Sequence, residues 1–417
     1  MSRSSIREDQ RGDRGAHGLI HSADGCNRVS LPSVLVLDGH LRATLGIVRS
    51  LGRLGIPMMV GSNVPLAMAG VSRYAARRFA YPPDEAGLEA THAVLIEQVR
   101  AWKPDVLMPV FEHGWKTILA FHDEYSRLTA VVSNPGRELF NLLHSKDHMA
   151  KYAERHGVPI PRTLRPQSRD EALAMADQLP YPVLLKPRQS TAGIGIRRAN
   201  NPREFAETLA RAPDVPVIQE HIEGEDLELT ILCVHGEPIA GSAYETLRNF
   251  PLPYGPSIAC RTIRDDAFMR TGTDFLIRLG YHGVAHLDFR RDRRDGQVKL
   301  LDFNPRLAGT NEVSLRSGVN FPLMLYRLAL GEHVNPCFTY DVGLEFRWLL
   351  FKELQHLAQT PNKARTVREL LRWRHVATNV SFADPLPHLA EGFSLLRRSV
   401  GRWRSSSRRK GRTAEPA

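Results

Sequence analysis

The stretch Leu300-Leu301-Asp302-Phe303-Asn304-Pro305-Arg306 decides how this chain reads, together with Asp288 of His286-Leu287-Asp288-Phe289, fourteen residues before Asp302. In a strand over 298–304, side chains alternate with period 2, so Val298, Leu300, Asp302 and Asn304 share one face. Asp288, on a neighbouring strand, adds a third oxygen ligand to Asp302 and Asn304. An all-oxygen set with open positions suits Mg2+, which takes one or two carboxylates and leaves room for substrate phosphates. Arg306 follows at once and sets a fixed positive charge beside the metal. Taken alone, these residues also read as the solvated face of a hairpin. Convergence of the three ligands constrains that hairpin, because a one-residue slip reverses the face on which a side chain stands. A two-residue Asp295-Gly296 turn would oppose Asp288 to Phe303. The pattern therefore predicts a three- or five-residue loop with Gly296 in a left-handed conformation, or a compensating bulge.

Candidate phosphate ligands precede this hairpin. Tyr181-Pro182-Val183-Leu184-Leu185-Lys186-Pro187-Arg188 reads as an apolar strand ending in a cation. It runs into Gln189-Ser190-Thr191-Ala192-Gly193-Ile194-Gly195, a small-residue loop whose backbone N–H groups can approach phosphate oxygens closely. Ser145-Lys146-Asp147 opens a predicted helix to His156, stopped by Gly157 with Pro159 beyond. Val217-Ile218-Gln219-Glu220-His221-Ile222 reads as a strand that meets the acidic run Glu223-Gly224-Glu225-Asp226-Leu227-Glu228.

This ordered series over residues 145–306 resembles the ATP-grasp superfamily. The resemblance implies that Lys146 and Lys186 hold the phosphates of ATP as point charges, with Ser190 and Gly193 in the covering loop. Gln219, Glu220 and Ile222 match the hinge at adenine, and Asp226 the acid at the ribose hydroxyls, with Glu228 as the alternative ribose ligand. Asp288, Asp302 and Asn304 match the ligands of Mg2+, or of Mn2+ in its place. The sequence departs from the commoner pattern by carrying Asp302 where glutamate is usual, a shorter reach for bridging two ions. Arg306 matches the arginine that steadies developing charge in phosphoryl transfer, and with Lys186 is the expected catalytic pair. His286 shares the face of Asp288 and reads as a satisfied core histidine.

By resemblance, the expected activity is an ADP-forming, ATP-dependent carboxylate–amine (or carboxylate–thiol) ligase that activates its acid as an acyl phosphate. A carbamoyl-phosphate-synthase-like or biotin-carboxylase-like enzyme is the alternative, and a non-catalytic ATP-binding regulator the reading from another class. The partners are then ATP, a small carboxylate and an amine, with a homo-oligomer admitted. Loops 109–114, 244–262 and 307–317 are the expected substrate walls, with Arg261 as a cation for the substrate carboxylate.

The expected fold is α/β: a Rossmann-like pre-ATP-grasp domain over 31–143, an ATP-grasp α+β domain over 144–335 with its lid about 180–230, and a helical C-terminal segment over 336–396. A buried strand with a turn at 33–39 and strands at 55–61 and 105–110 alternate with a helix through Leu45, Val48 and Leu51-Gly52 and helices around 91–102 and 118–125, the pattern of a parallel sheet with right-handed crossovers. Helices are expected over 346–358, 366–373 and 389–396. The first turn lacks G-x-G-x-x-G, which argues against dinucleotide binding, and no P-loop or internal repeat is present. Glu112 and His113 stand just past strand 105–110, at the carboxyl end where ligands sit in such sheets; an exposed loop pair is the competing reading.

Composition fits a globular protein of two or three domains, with 417 residues, 42% hydrophobic and 24% charged. No apolar run is long enough for a membrane span, and the charged N-terminus does not read as a signal. Cys26, Cys233, Cys260 and Cys337 are far apart and read as reduced thiols of a cytoplasmic protein. The net charge of +11 is concentrated at one end, where 397–417 carries eight cations against Glu415, a net +7 that leaves +4 elsewhere. Residues 1–30 and 397–417 are polar or basic, without periodic apolar positions, and read as disordered tails, the second suited to an anionic surface.

Overall fold

Short apolar runs bounded by turn residues build the first sheet. The computed structural model describes residues 31–188 and 193–396, so the two terminal tails and Ser190 lie outside the described residues. Strands β1 (Val34–Val36), β2 (Met58–Ser62), β3 (Ala75–Ala80), β4 (Val106–Met108) and β5 (Ala130–Val131) pair in parallel in the order β3-β2-β1-β4-β5. Both faces of β1 are buried, as a parallel sheet covered by helices requires. Val34 and Val36 pack on Ile47, Val48 and Leu51 of helix Arg42–Gly52, while Leu35 and Leu37 pack on Leu95, Ile96 and Val99 of helix Leu88–Trp102. The helix expected at 118–125 instead starts at Glu112 and ends at Ala120; Phe121, with φ −121° and ψ 31°, separates it from a short helix His122–Ser126.

A second, antiparallel sheet holds β6 (Thr163–Leu164), β7 (Val183–Lys186), β8 (Arg197–Ala199) and β9 (Val217–Glu220) in the order β6-β9-β7-β8. Its small core of Val183, Leu185, Phe205, Leu209 and Ile218 closes on helix Pro202–Arg211. Asn201 caps that helix, its side chain accepting the Glu204 N–H at 2.9 Å, and Pro202 supplies a first-turn residue that needs no donor. This sheet begins earlier than the 180–230 expected for a lid and ends before 224, where the chain enters the third sheet.

The third sheet contains β10 (Gly224–Val234), β11 (Glu237–Asn249), β12 (Ser257–Thr262), β13 (Gly283–Asp292), β14 (Val298–Asn304), β15 (Glu345–Arg347) and β16 (Val376–Thr378), ordered β14-β13-β10-β11-β12-β15-β16. All neighbours are antiparallel except β15 and β16. Two sequence expectations are corrected here. Residues 244–262 are not a loop but the end of β11, a turn and all of β12. Residues 336–396 are not simply helical, because β15 and β16 extend the sheet edge: Phe346 and Trp348, two apart, both bury against Tyr244, Cys260 and Val313. Helical geometry resumes only after a kink at Leu350 and Phe351, in Leu354–Gln359 and Lys363–Leu370. One face of β10, β13 and β14 is apolar and buries Leu227, Leu229, Ile231, Leu287, Phe289, Leu300 and Phe303 against Phe268 and Phe275 of helix Asp266–Arg278. The other face carries Asp226, Glu228, Thr230, His286 and Asp288.

A buried ion pair fastens the C-terminal segment to the first sheet's helix. Arg49 and Asp384 are 2% and 1% exposed, with Nε to Oδ2 at 2.8 Å. The Asp384 carboxylate also accepts from Ser72 Oγ at 2.8 Å and the Arg73 N–H at 2.9 Å. Asp384→Ala leaves the buried Arg49 guanidinium without its counter-charge, so we expect a loss of about 3–5 kcal/mol in urea unfolding. A variant as stable as the native chain would show that the pair does not hold this junction.

Candidate functional site

The polar face of the third sheet forms one wall of a cleft of about 550 Å³, whose other walls come from β7, the β9–β10 connection, helix Lys146–Arg155 and the first sheet's loops. The β13–β14 hairpin brings its ligands together by a route the sequence left open. Five residues separate the strands and Gly296 is left-handed at φ 70°. Yet Arg291 opposes Val298 and the Asp292 N–H bonds the Gln297 carbonyl at 2.9 Å, a register that would set Leu301 opposite Asp288. A bulge between the pairs Phe289–Leu300 and Asp288–Asp302 absorbs Leu301 and brings Asp302 opposite Asp288. The bulge, not the loop's parity, aligns the two carboxylates. It also corrects the expected face: Leu300 lies in the apolar core with Phe303, while Asp302 and Asn304 line the cleft.

Around this hairpin every charge has a counter-charge. Lys146 Nζ sits 2.7 Å from Asp302 Oδ2. Burial works against the Asp302 charge, but Lys146 and then Lys186 outweigh it and hold the carboxyl below its ordinary range. Asn304 links both sides, donating through Nδ2 to Asp288 at 3.1 Å and accepting at Oδ1 from Arg306 at 2.9 Å. Arg306, 6% exposed, is held from behind by Glu112 at 2.9 Å and lies 4.6 Å over the Phe111 ring. Glu112 and His113 are therefore not an exposed loop pair. Glu112 positions Arg306, and His113 bonds Thr91 Oγ1 at 2.9 Å.

Lys186 is the least compensated cation. It closes β7, is 6% exposed, and burial, reinforced by Lys146, brings its pKa down to about 8. His286 has the opposite fate. Burial disfavours its charge, but Asp288 at 3.0 Å and Glu228 at 3.3 Å outweigh it and raise its pKa to about 10. It is thus an imidazolium bridging two carboxylates rather than the bland core histidine read from sequence. Glu228, His286 and Asp288 form the one group of three such ligand atoms within 4.8 Å of one another among the described residues. A hard cation such as Mg2+ prefers oxygen to imidazole nitrogen, so the oxygen set of Asp288, Asp302 and Asn304 is the better donor set for it.

At the other end of the cleft, Leu184, Ile196, Ile222 and Tyr254 make an apolar slot beside Lys186, Gln219 and Glu220. Gln219 donates to Thr163 Oγ1 at 3.0 Å, and its Oε1 is buried without a partner, an acceptor aimed at nothing in the protein. Gly193 lines the same slot at φ 71°, where a Cβ would fall 1.8 Å from the Tyr254 carbonyl oxygen. Asp226 is tied to Arg290, Nε to Oδ1 at 2.6 Å. Glu228 is committed to Thr246, Ser257, Thr310 and His286, which leaves Asp226 the more available of the two acids for a ligand hydroxyl. Arg261 stands on the opposite face from Tyr244, exposed and paired with Glu245 at 2.7 Å, and does not line the cleft. Arg290, missed in the sequence, shares the face of Asp288 by simple alternation, and that spacing was the available signal.

Residues 143–310 match the family model of the ATP-grasp domain. The large chain of carbamoyl phosphate synthase from Thermomicrobium roseum is 22% identical over 274 residues, covering 63% of this chain and 25% of that protein. The chain thus spans about a quarter of the length of that curated relative. Among solved structures, the ADP complex of N5-carboxyaminoimidazole synthetase from Staphylococcus aureus superposes with a TM-score of 0.61 at 14% identity, covering 80% of this chain and 86% of that one. L-amino acid ligase from Bacillus licheniformis follows with a TM-score of 0.57 at 19% identity, covering 72% and 74%. Within a fold shared with these proteins, residues 143–310 of this chain are an ATP-grasp domain.

Proposed function

We propose that the protein binds ATP with Mg2+ and phosphorylates a carboxylate, giving ADP and an acyl phosphate that an amine (or a thiol) then attacks. The observation that carries this is the meeting of Lys146, Lys186, Asp288, Asp302, Asn304 and Arg306 around one cleft. Support for adenine at the apolar slot comes from the unpartnered Gln219 Oε1, an acceptor suited to an exocyclic amine. Lys186 and Lys146 then meet the phosphates, and Asp226 the ribose.

A carboxylate cannot lose oxide to an amine, so it needs a better leaving group. Attack of its oxygen on the γ-phosphorus forms one O–P bond and breaks the bond to ADP. The amine next forms a C–N bond at the carbonyl carbon and phosphate leaves. Neither step needs a protein nucleophile; both need positioned charge. When bound, Mg2+ supplies charge neutralisation between the phosphates, held by Asp288, Asp302 and Asn304. Lys146 must then release Asp302 and turn to the phosphates, one ion pair exchanged for two. Arg306, fixed by Glu112 and Asn304, is rigid enough to meet charge that develops in the transition state. Past Arg306 the cleft continues to Arg42, Phe111 and Trp348, which favours an acid larger than bicarbonate. Bicarbonate as the acid is the second reading, favoured by the likeness to carbamoyl phosphate synthase.

Phosphate release screened over pooled carboxylates and amines, with bicarbonate as a separate arm, tests this directly. We expect ADP and phosphate; AMP and pyrophosphate, or no turnover with any acid, would sink the proposal. Asp302→Ala and Arg306→Ala should lower kcat by roughly 10²-fold or more with a smaller change in ATP binding.

Lys186 gives a pH signature of its own. Its folded pKa lies below the unfolded value, so the unfolded chain binds more protons between about pH 8 and the ordinary lysine range. Stability of the ligand-free protein should therefore rise over that interval, while ATP affinity falls as the ammonium is lost. Lys186→Met should raise stability at pH 7 by an amount on the order of 3 kcal/mol at most and remove the rise. It should also weaken ATP binding. Urea unfolding and calorimetric titration across pH 7–10 check both, and parallel pH profiles in the variant and native chains would contradict the assignment.

A further inference from the structure

The helix over 386–396 is built inside out. A surface helix of a globular protein turns its apolar stripe to the core and its charges to water. Here the buried side holds His388 and Glu391, with Asp384 just before the helix, and Arg42 and Arg49 receive them: Arg42 Nη2 meets Glu391 Oε1 at 3.1 Å and Arg49 meets Asp384 at 2.8 Å. Ala390, Glu391, Ser394 and Leu395 line the cleft. The opposite side presents Leu386, Leu389, Phe393 and Leu396 to solvent, 55%, 68%, 52% and 62% exposed, with Phe382 ahead of them at 94%. Their spacing of three and four residues makes one continuous stripe along the helix. Nothing among the described residues covers it.

We propose that this stripe docks on an anionic phospholipid surface, with the helix lying in the plane of the interface. The charge that follows selects this occupant over a second copy of the chain. Arg397, Arg398, Arg402 and Arg404 come directly after Leu396, and 397–417 carries a net +7. An apolar helical stripe followed directly in the sequence by arginines and a tryptophan has the composition that seats apolar side chains among acyl chains and cations among lipid headgroups. A dimer burying the same stripe would bring two such cationic segments together, which their repulsion opposes. Because the other side of the helix roofs the cleft, docking would set the mouth of the site against the bilayer.

The test is co-sedimentation of the full chain with phosphatidylcholine vesicles, with and without phosphatidylglycerol. We expect binding to the anionic vesicles stronger than to neutral ones by about tenfold or more, and loss of it in high salt. Leu389→Ser with Phe393→Ser should abolish binding while leaving folding and ATP turnover intact, since both side chains already face water. Replacing Arg397, Arg398, Arg402 and Arg404 by Gln should weaken binding to anionic vesicles and leave the residual neutral binding unchanged. No binding to anionic vesicles, equal binding by the serine variant, or a concentration-dependent dimer that the serine substitutions dissolve in place of vesicle binding would each overturn the proposal.

Discussion

Charge compensation among buried side chains around one cleft is the constraint on which the rest of this structure depends. Lys146, Lys186, Arg290 and Arg306 converge with Asp226, Glu228, Asp288 and Asp302 on one sheet face and its surroundings. An unpaired charge there would cost several kcal/mol, so each acid is given a partner and the partners are shared. Lys146 holds Asp302, Asn304 ties Asp288 to Arg306, Glu112 anchors Arg306, and His286 is kept protonated between Glu228 and Asp288. Of these four cations Lys186 alone has no carboxylate in ion-pair contact, and burial, reinforced by Lys146, lowers its pKa. The same imbalance is what an anionic ligand can correct.

The backbone makes this arrangement possible by separating two incompatible jobs on the same strands. Along β10 and β13, apolar residues alternate with polar ones, so one face closes a core while the other carries the ionisable groups. On β14 strict alternation would have failed. The bulge at Leu301 lets Leu300 and Phe303 both reach the core and still turns Asp302 toward Asp288. An extra residue that breaks the ladder thus serves the site rather than the sheet.

The C-terminal segment follows the same electrostatic logic in reverse. It is attached through charge, Arg49 with Asp384 and Arg42 with Glu391, and leaves its apolar side to solvent. Its strands β15 and β16 extend the sheet that carries the site, and Ala390, Glu391, Ser394 and Leu395 of its last helix line the cleft.

Local regularities were legible in the sequence. Period-two alternation placed Asp288, Asp302 and Asn304 together, the apolar strand ending at Lys186 marked a buried cation, and the first sheet's strands and helices followed from runs and stops. Those signals depend on neighbours a few residues away. Several features were not legible because they depend on partners far along the chain. The strand β3, with Arg77 and Arg78, exists because β2 pairs with it. The strands β15 and β16 exist because β12 offers an edge. Arg261 looked like a substrate ligand until pairing with β11 set it on the wrong face. His286 looked inert until Glu228 and Asp288 arrived on either side. The sequence by itself determined which residues could bear charge and which runs would form the first sheet's strands and helices. Only the tertiary structure decided which charges would meet, because the free energy of a buried ion is set by what lies within a few ångströms of it.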